Sequence, residues 1–600
     1  MRDVQQPAEQ HSQEFTLDIH ALFSFCKKHY VLLFLLAFML YGFYLRSYHM
    51  DFPVIGYHNM KENQYIPYTE FMYNAEEFLD YFRTETYWIG SQEHGYFTQY
   101  EFPLIPWMIL VLWWIFGIKL WAARLVVILF SIGSIPLLYL LGRKLTENKF
   151  ILLLACFLFT IMPLSVFFGR NVQPEAPALF FILLGSYWFF RWREKMLLGE
   201  NSLKVFVLFS ISFLIAILLK VPNAIGLVPL LFFVPYKKFI SSQRVFLECT
   251  GIFLSTMFIF PLWVFFSKWV MPGAATVGTS GFTESFRAVA HNVLRTLTSA
   301  YWFEYFPALR SFVLDNFTVW YFWLFLLGVF FALFTWRSLF SRFLLTWFGS
   351  IFVYVLAFAD KVRGHAYYQF VFLPLVCFAA AYALYMVSQF LQQVLSQSIP
   401  SLKSFFSKAP LLFPLIVSGL VIFLSFAFVT ASTDQVFDTI YYGEDIAGDF
   451  IYQHSDPKDR VFIDGIFSQS VGILWHAHRY GIEEIPANLT WFQELEETLQ
   501  FRWVVLYGPG ISTVQSKPEV WEYIQQTYHL RQIGLVPQGN ELVPYYFVLE
   551  KGGVFDLESF PVNKTPYLAM SYTNTEGIFD FYALDDGSSS VSSQVLLVVS

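Results

Sequence analysis

The sequence predicts a polytopic α-helical membrane protein with a small α/β domain at its C-terminal end. Three observations predict it. Of 600 residues, 56% are hydrophobic and only 14% charged, whereas soluble domains carry about 25% charged residues. The apolar residues gather in runs of the roughly 20 residues needed to cross a bilayer. After residue 431 those runs stop and ordinary polarity returns.

The first twenty residues, "MRDVQQPAEQHSQEFTLDIH", are polar and mixed in charge. They do not read as a cleavable leader, so the run from Tyr30 to Tyr48 is expected to be an anchor. Further runs fall near 120–141, 150–168, 174–191, 203–221, 222–236, 247–268, 318–336, 343–359, 367–390 and 409–431. With the first run at 29–48 they imply about 11–13 transmembrane helices. Orientation follows from Lys and Arg in short loops. Basic clusters occur at Lys27/Lys28, Arg143/Lys144, Arg191/Arg193/Lys195, Lys237/Lys238/Arg244, Arg337/Arg342 and Lys403/Lys408. Taken as cytoplasmic, they leave outside the segments 49–119, 169–173, the turn at Lys220, 269–317, 360–366 and everything after about residue 432. One apolar piece, "FPLIPWMILVLWWIFG" at 102–117, breaks this alternation. It is short and starts Pro-rich, so it is expected to lie in the interface or re-enter from the outer side.

The expected domains are therefore a membrane domain, 1–431, with outer loops 49–119 and 269–317, and an extracytoplasmic α/β domain, 432–600. In the latter, "RVFIDG" (460–465), "RWVVLYG" (502–508), "HLRQIGLVP" (529–537) and "PYYFVLE" (544–550) read as strands. "FSQSVGILWHAHRYG" and "KPEVWEYIQQTY" between them read as helices. No Gly-rich phosphate loop follows the first strand, so no nucleotide site is indicated. The Ser-rich tail 585–600 ends in "VLLVV", an edge strand or a disordered end.

Net charge is −7 with an uneven distribution, which suggests no nucleic-acid partner. Cys26, Cys156, Cys249 and Cys377 lie in or beside apolar runs without a CxxC, so neither a metal cluster nor a disulfide framework is indicated. The sequons at Asn316, Asn488 and Asn563 carry no assignment.

With this orientation, polar residues from distant segments gather at one membrane face. They are His58, Lys61 and Glu62 in "GYHNMKENQY", Glu101 in "YEFPLIPW", Arg124 in "WAARL", Arg170 and Glu175 in "GRNVQPE", Lys220 in "LLKVPN", and His365, Tyr367 and Tyr368 in "RGHAYYQF". Ionisable groups near lipid cost a few kcal/mol and usually face a cavity or a partner. A mix of acids, bases and several cations suits an anionic, lipid-linked substrate: cations neutralise phosphate and a carboxylate deprotonates an acceptor. Simpler readings stand beside this one. Arg124 and Lys220 at helix ends could snorkel to the interface. Arg170 and Glu175 could be an ion pair capping the helix that starts after Pro174. His58, Glu62 and His365 could supply metal ligands, but their spacing specifies none. His476 and His478 receive no role.

The ordered series "GYHNMKENQY", "EFPLIPW", "FGIKLWAARL", "FFGRNVQPEAPA", "LLKVPNAIG" and "HAYYQFVFLP" resembles membrane glycosyltransferases of the GT-C type. It is most similar to the branch related to protein O-mannosyltransferases and the lipid A aminoarabinose transferase. The resemblance covers roughly 30–390 and rests on six motifs in order. It implies a GT-C-like membrane fold, a polyprenyl-phosphate sugar donor, and transfer of a hexosyl or pentosyl group outside the cytoplasm with inversion. The acceptor would be a protein, lipid or glycan of the cell envelope. It also implies an acidic catalytic residue in the first outer loop, expected here to be Glu62, with Glu76, Glu77 and Glu101 behind it. Family members often carry an acidic pair at that place; this loop has one acid beside Lys61. Arg170 and Lys220, with Arg124, would hold the lipid phosphate; Glu175 would orient Arg170; His365 and Tyr367 would line the sugar pocket. A divalent cation, Mg or Mn, is optional. The expected location is a bacterial or archaeal plasma membrane. The alternatives are a lipid or sugar carrier or flippase, and a non-catalytic membrane scaffold. A carrier would spread its polar residues through the bundle depth, whereas these gather on one side.

Overall fold

The computed structural model describes residues 19–89, 101–272, 290–291, 294–295, 298–465, 469–557, 560 and 565–587. Parts of the loops 49–119 and 269–317, the sequon at Asn563 and nearly all of the tail 585–600 lie outside the described residues.

Among the described residues seven helices are long and apolar enough to cross a membrane: Lys27–Arg46, Leu120–Arg143, Gln243–Val270, Val313–Phe334, Leu339–Ala357, Ala366–Ser398 and Leu412–Phe437. A further helix, Glu175–Leu198, has 24 residues, a length of about 36 Å. Shorter apolar helices occupy Leu104–Phe116, Lys149–Ile161 and Leu203–Leu219. The chain is an integral membrane protein.

Proline explains where the sequence runs and the helices differ. The run 150–168 breaks at Pro163: Met162 before it is extended, at φ −59° and ψ 129°, because proline disfavours α geometry in the preceding residue. A short helix, Pro163–Phe167, follows. The run 222–236 is not one helix. Pro222, Pro229 and Pro235 break it into the 3-10 helix Val221–Leu227 and the four-residue helix Val228–Leu231. The interfacial candidate 102–117 is the helix Leu104–Phe116, with 13 residues. At 1.5 Å per residue it is about 20 Å long, short of a hydrocarbon core of about 30 Å. Its Trp107 indole donates to the Tyr81 carbonyl at 2.6 Å, tying it to the first loop.

The bundle interior is tightly built. The helices Ser299–Phe334 and Leu373–Ser398 cross at Gly328, where an added Cβ would lie 1.9 Å from the Ala379 carbonyl oxygen. Ala379 meets Gly328 at this crossing, and its neighbours Ala380 and Ala381 are fully buried as well. Small residues of this kind let membrane helices approach closely.

The C-terminal residues form a seven-stranded sheet of β1 (Val461–Asp464), β2 (Gly481–Glu483), β3 (Trp503–Tyr507), β4 (Tyr528–Gln538), β5 (Glu541–Lys551), β6 (Tyr567–Asn574) and β7 (Gly577–Asp585). The order is β2-β1-β3-β5-β4-β7-β6. β2, β1 and β3 are parallel; the rest pair antiparallel. The four strands expected from sequence are β1, β3, β4 and β5. The helix expected over "FSQSVGILWHAHRYG" is only Gly472–Ala477, because His478 turns left-handed at φ 47° and the chain enters β2.

The first loop is part of this sheet. The Ile89 amide donates to the Gly481 carbonyl, and the Gly481 amide to the Tyr87 carbonyl, each at 2.9 Å. Trp88 thereby pairs in parallel with Gly481 at the open edge of β2. A second join pairs Gly56 with Ile440.

Replacing Gly328 with Val is expected to destabilise the bundle by about 1–3 kcal/mol through overpacking. Thermal unfolding of the detergent-solubilised protein reads this as a lowered midpoint, while the neighbouring exposed position Phe330→Leu changes it little.

Candidate active site

The sequence-predicted residues fall into two connected groups. The first is a buried clamp. Arg124, at 1% exposure, enters from the second turn of the helix Leu120–Arg143. Its Nε and one terminal nitrogen donate to the two oxygens of Glu62, each at 3.1 Å. Its other terminal nitrogen donates to the carbonyls of His49, Met50 and Phe52 at 2.9, 3.0 and 2.6 Å. The Val172 amide donates to Glu62 Oε1 at 3.0 Å. Arg170 donates to the carbonyls of Tyr48 and His49 and lies 4.9 Å over the Phe437 ring. Glu62, Arg124 and Arg170 thus knit the first loop to "GRNVQPE" and to the helix Leu120–Arg143. Burial alone would raise the Glu62 carboxyl. The charge and hydrogen bonds of Arg124, the charge of Arg170 and the Val172 amide outweigh it and hold the group below its ordinary value of 4.5.

Arg46 extends the clamp and was not anticipated. It is wholly buried at the end of the first helix. It donates to Ser131 Oγ at 2.9 Å, Ser165 Oγ at 2.7 Å and the carbonyls of Gly42 and Thr160. Gly169 must be glycine beside it, since a Cβ there would lie 2.4 Å from Ser131 Oγ and 2.8 Å from Arg46 Nε. Arg46 sits inside an apolar run, where an isolated Arg near a helix end reads as a snorkelling residue.

The second group lines a cleft. Lys220, the residue after the helix Leu203–Leu219, is ion-paired with Glu175 in the first turn of Glu175–Leu198. Glu175 therefore pairs with Lys220 and not with Arg170, as the sequence suggested: Pro174 starts the helix and turns the carboxylate toward the neighbouring helix end. The Lys220 ammonium lies 4.6 Å from the Tyr367 ring centre and 4.0 Å from that of Tyr368, within cation–π range. Glu175, Lys220, Asn223, Tyr354, Tyr367 and Tyr368 line one cleft. Next to it, the His58 ring is 5.9 Å from His365 and 5.6 Å from Tyr367, centre to centre. His58 is left-handed, at φ 51°, a costly conformation for a residue other than glycine and one found at functional sites. Burial pushes its imidazole down to about 4. Burial, then the charges of His58, Lys220, Lys361 and Lys61, push His365 down to about 3. Both rings are neutral near pH 7 and serve as hydrogen-bonding groups.

Lys61 and Glu101 lie beside the cleft. Lys61 Nζ donates to Gln64 Oε1 at 3.1 Å and lies 3.6 Å from Glu101 Oε1. The Tyr65 hydroxyl donates to Glu101 Oε2 at 2.7 Å. The Phe102 amide donates to the Leu218 carbonyl at 2.9 Å, fixing Glu101 beside the turn that carries Lys220. Tyr65, three residues past Glu62 on one helix, was legible only as an aromatic in the first loop. Among the described residues no three His, Cys, Asp or Glu side chains converge in a metal-binding group.

The sheet domain reaches this first loop directly. Glu70 accepts from the Trp475 indole at 3.0 Å and pairs with His478 Nδ1 at 2.9 Å. The Asn59 side chain donates to Glu444 at 3.1 Å.

The profile of the family described as dolichyl-phosphate-mannose-protein mannosyltransferase matches residues 101–266. No curated protein matches the sequence. The fold is similar to that of the Archaeoglobus fulgidus oligosaccharyltransferase tethered to an acceptor peptide. The two share 14% identity and a TM-score of 0.52, over 87% of this chain and 74% of that one. The same archaeal protein, AglB, with an inhibitory peptide and a dolichol-phosphate gives 13% identity and 0.52, over 86% and 74%. ArnT from Cupriavidus metallidurans bound to undecaprenyl phosphate gives 12% identity and 0.49, over 94% and 99%. The family match and the shared fold bear out the resemblance to membrane glycosyltransferases of the GT-C type.

Removing one partner of a buried ion pair costs about 3–5 kcal/mol, so Glu62→Gln and Arg124→Met should each lower the unfolding midpoint sharply. The pH dependence has a definite sign. A carboxyl depressed in the fold contributes stability that is complete above its unfolded value near 4.5 and is lost as pH falls through the lower folded value. Unfolding measured between pH 7 and pH 3 should show this acid loss in the wild type and a smaller one in Glu62→Gln.

Proposed function

We propose that this membrane protein is a glycosyltransferase that moves a sugar from a polyprenyl-monophosphate donor to a hydroxyl or amine acceptor with inversion at the anomeric carbon. The observation that supports this best is the cleft lined by Lys220, Glu175, Tyr367 and Tyr368, with His58 and His365 packed beside Tyr367 and the Lys61–Glu101 pair next to the turn that carries Lys220. The donor carries a phosphate that must be held and a sugar that must be stacked. Lys220 and Lys61 answer the first need and the tyrosines the second. As the acceptor oxygen or nitrogen attacks, the bond from the anomeric carbon to the phosphate oxygen breaks. The lipid phosphate leaves with the electron pair, and its growing charge is stabilised by the ammonium of Lys220. A carboxylate of the cleft takes the acceptor proton. His58 and His365, both neutral, hydrogen-bond sugar hydroxyls.

In this scheme Arg124 and Arg170 hold the first loop in place rather than the donor phosphate, since their guanidiniums are turned to backbone carbonyls. A divalent ion has no assigned step. The two-domain organisation, a membrane domain to residue 431 and an α/β domain from 432, belongs to the same proposal. So does a bacterial or archaeal plasma membrane with the cleft and the C-terminal domain on the extracytoplasmic face. The archaeal structures support the donor class, one holding a dolichol-phosphate and another an acceptor peptide. A carrier is less well supported, because the polar groups gather at one end of the bundle instead of along its depth.

Two experiments test the reading. Purified protein supplied with a short-chain polyprenyl-phosphate mannose should release or transfer the sugar. Lys220→Met should raise the donor KM about 10- to 100-fold, as expected from losing a charged hydrogen bond, with a smaller change in unfolding midpoint. Unchanged donor KM in a folded Lys220→Met protein would remove the phosphate assignment. A periplasmic-activity reporter fused after Lys144 should be silent, and one fused after Gly443 active.

A further inference from the structure

We infer that the proton acceptor of the transfer is Glu101, oriented by Tyr65 and Lys61, and that Glu62 is a positioning residue. This rests on the glycosyl-transfer reading above. The choice follows from what each carboxylate of the site already touches. Glu62 has both oxygens taken by Arg124 and one also by the Val172 amide. Its side chain is 5% exposed. Protonating it would leave a buried guanidinium without its counter-charge, which is among the most costly changes a protein interior undergoes. Glu175 is equally buried and is held in contact with Lys220, the cation that the leaving phosphate requires. Glu101 is the most open of the three and faces Lys61 rather than the phosphate-holding Lys220. Its side chain is 14% exposed. Among the described residues Oε2 accepts from Tyr65. Oε1 faces Lys61 at 3.6 Å, beyond hydrogen-bond distance, so a lone pair remains for a proton.

The surroundings suit the task. The Lys61 ammonium lies 3.6 Å from Oε1 without hydrogen-bonding the oxygen that must react. The Tyr65 hydroxyl fixes the carboxylate plane. Burial, then the charge and hydrogen bond of Glu101, push that hydroxyl well above its ordinary value, so it stays a donor. Lys220 feels the charges of both Glu175 and Glu101, and the Phe102 amide bonded to the Leu218 carbonyl holds Glu101 beside the turn that carries Lys220. The step balances. The acceptor O–H or N–H bond breaks and its proton goes to Glu101 Oε1. The new bond to the anomeric carbon forms, and the bond from that carbon to the phosphate oxygen breaks. The lipid phosphate departs with the electron pair, and the proton on Glu101 is later lost to water.

The sequence gives Glu101 only as a second candidate. Glu101, which opens the motif "EFPLIPW" 36 residues from Tyr65 in the chain, ranks behind Glu62 there, because the pairing of Glu62 with Arg124 is not visible in the sequence.

The test uses the full-length protein in detergent with a short-chain polyprenyl-phosphate mannose, measuring sugar release to water or to an added acceptor. Glu101→Gln should lower kcat by about 10²- to 10⁴-fold with little change in donor KM and in unfolding midpoint. The acid limb of the kcat profile should vanish from its residual activity. The charged and titratable groups around Glu101 are Lys61, Lys220, Glu175, Tyr65 and Tyr367. Glu101→Asp should restore part of the rate. Glu62→Gln should instead lose stability. Four results would overturn the inference: a Glu101→Gln protein with wild-type kcat and an intact acid limb; one whose rate falls only in step with its folded fraction; a Glu175→Gln protein that alone loses the limb; or a folded Glu62→Gln protein that does so. In each of these the wild type still turns over, so the glycosyl-transfer reading stands. A wild type that releases no sugar overturns that reading and this inference with it.

Discussion

The buried pair of Arg124 with Glu62 is the constraint on which the site depends. A guanidinium has five donors and no acceptor. In this interior they go to one carboxylate and three consecutive-turn carbonyls of the first loop. Five bonds from one side chain fix the path of residues 49–62 against the helix Leu120–Arg143. Glu62 in turn begins the helix Glu62–Tyr73, so its position sets that of Lys61 before it and Tyr65 after it. The Val172 amide adds the "GRNVQPE" segment to the same knot, and Glu175 follows one turn later. Residues that meet in the cleft are thus placed by residues that do not face it.

The sheet domain secures the other side of the loop. Main-chain bonds at Tyr87 and Ile89 extend the edge of β2, and Glu70 is held by Trp475 and His478. A loop that would otherwise be mobile is bound at both flanks, by arginines from the membrane helices and by strand pairing from the C-terminal sheet. This gives the C-terminal residues a physical role in the site although, among the described residues, none of them lines the cleft.

Much of this was legible in the sequence, and the limits have identifiable causes. Spans were readable because lipid demands long apolar runs, and the breaks at Pro163 and across 221–231 lay at prolines already visible. Four strands of the sheet stood out as β-branched and aromatic runs. β2, with three residues, was too short to read, and β6 and β7 are half-exposed and polar enough to pass as loop. The gathering of His58, Lys61, Glu101, Glu175, Lys220, His365 and the tyrosines followed from orientation alone. Pairings did not, because partners are chosen by helix rotation: Glu175 takes Lys220, and Arg170 takes carbonyls. Arg46 was invisible for the same reason, since only packing shows that Ser131 and Ser165 wait for it.

The charge arrangement of the cleft carries one further consequence. Lys61 and Lys220 face Glu101 and Glu175, two charges of each sign, and the histidines stay neutral. A net-neutral, half-buried cleft would hold an anionic donor less tightly than a basic one. In the proposed reaction, however, the donor phosphodiester has one negative charge and the departing phosphate has two, while the acceptor's proton neutralises a carboxylate. Negative charge therefore moves across the cleft, from Glu101 to the phosphate beside Lys220, with no change in the total. In a medium of low dielectric, moving a charge between two fixed cations costs far less than creating one. A cleft with balanced charge favours the transition state over the bound donor, and only such differential binding accelerates the chemical step.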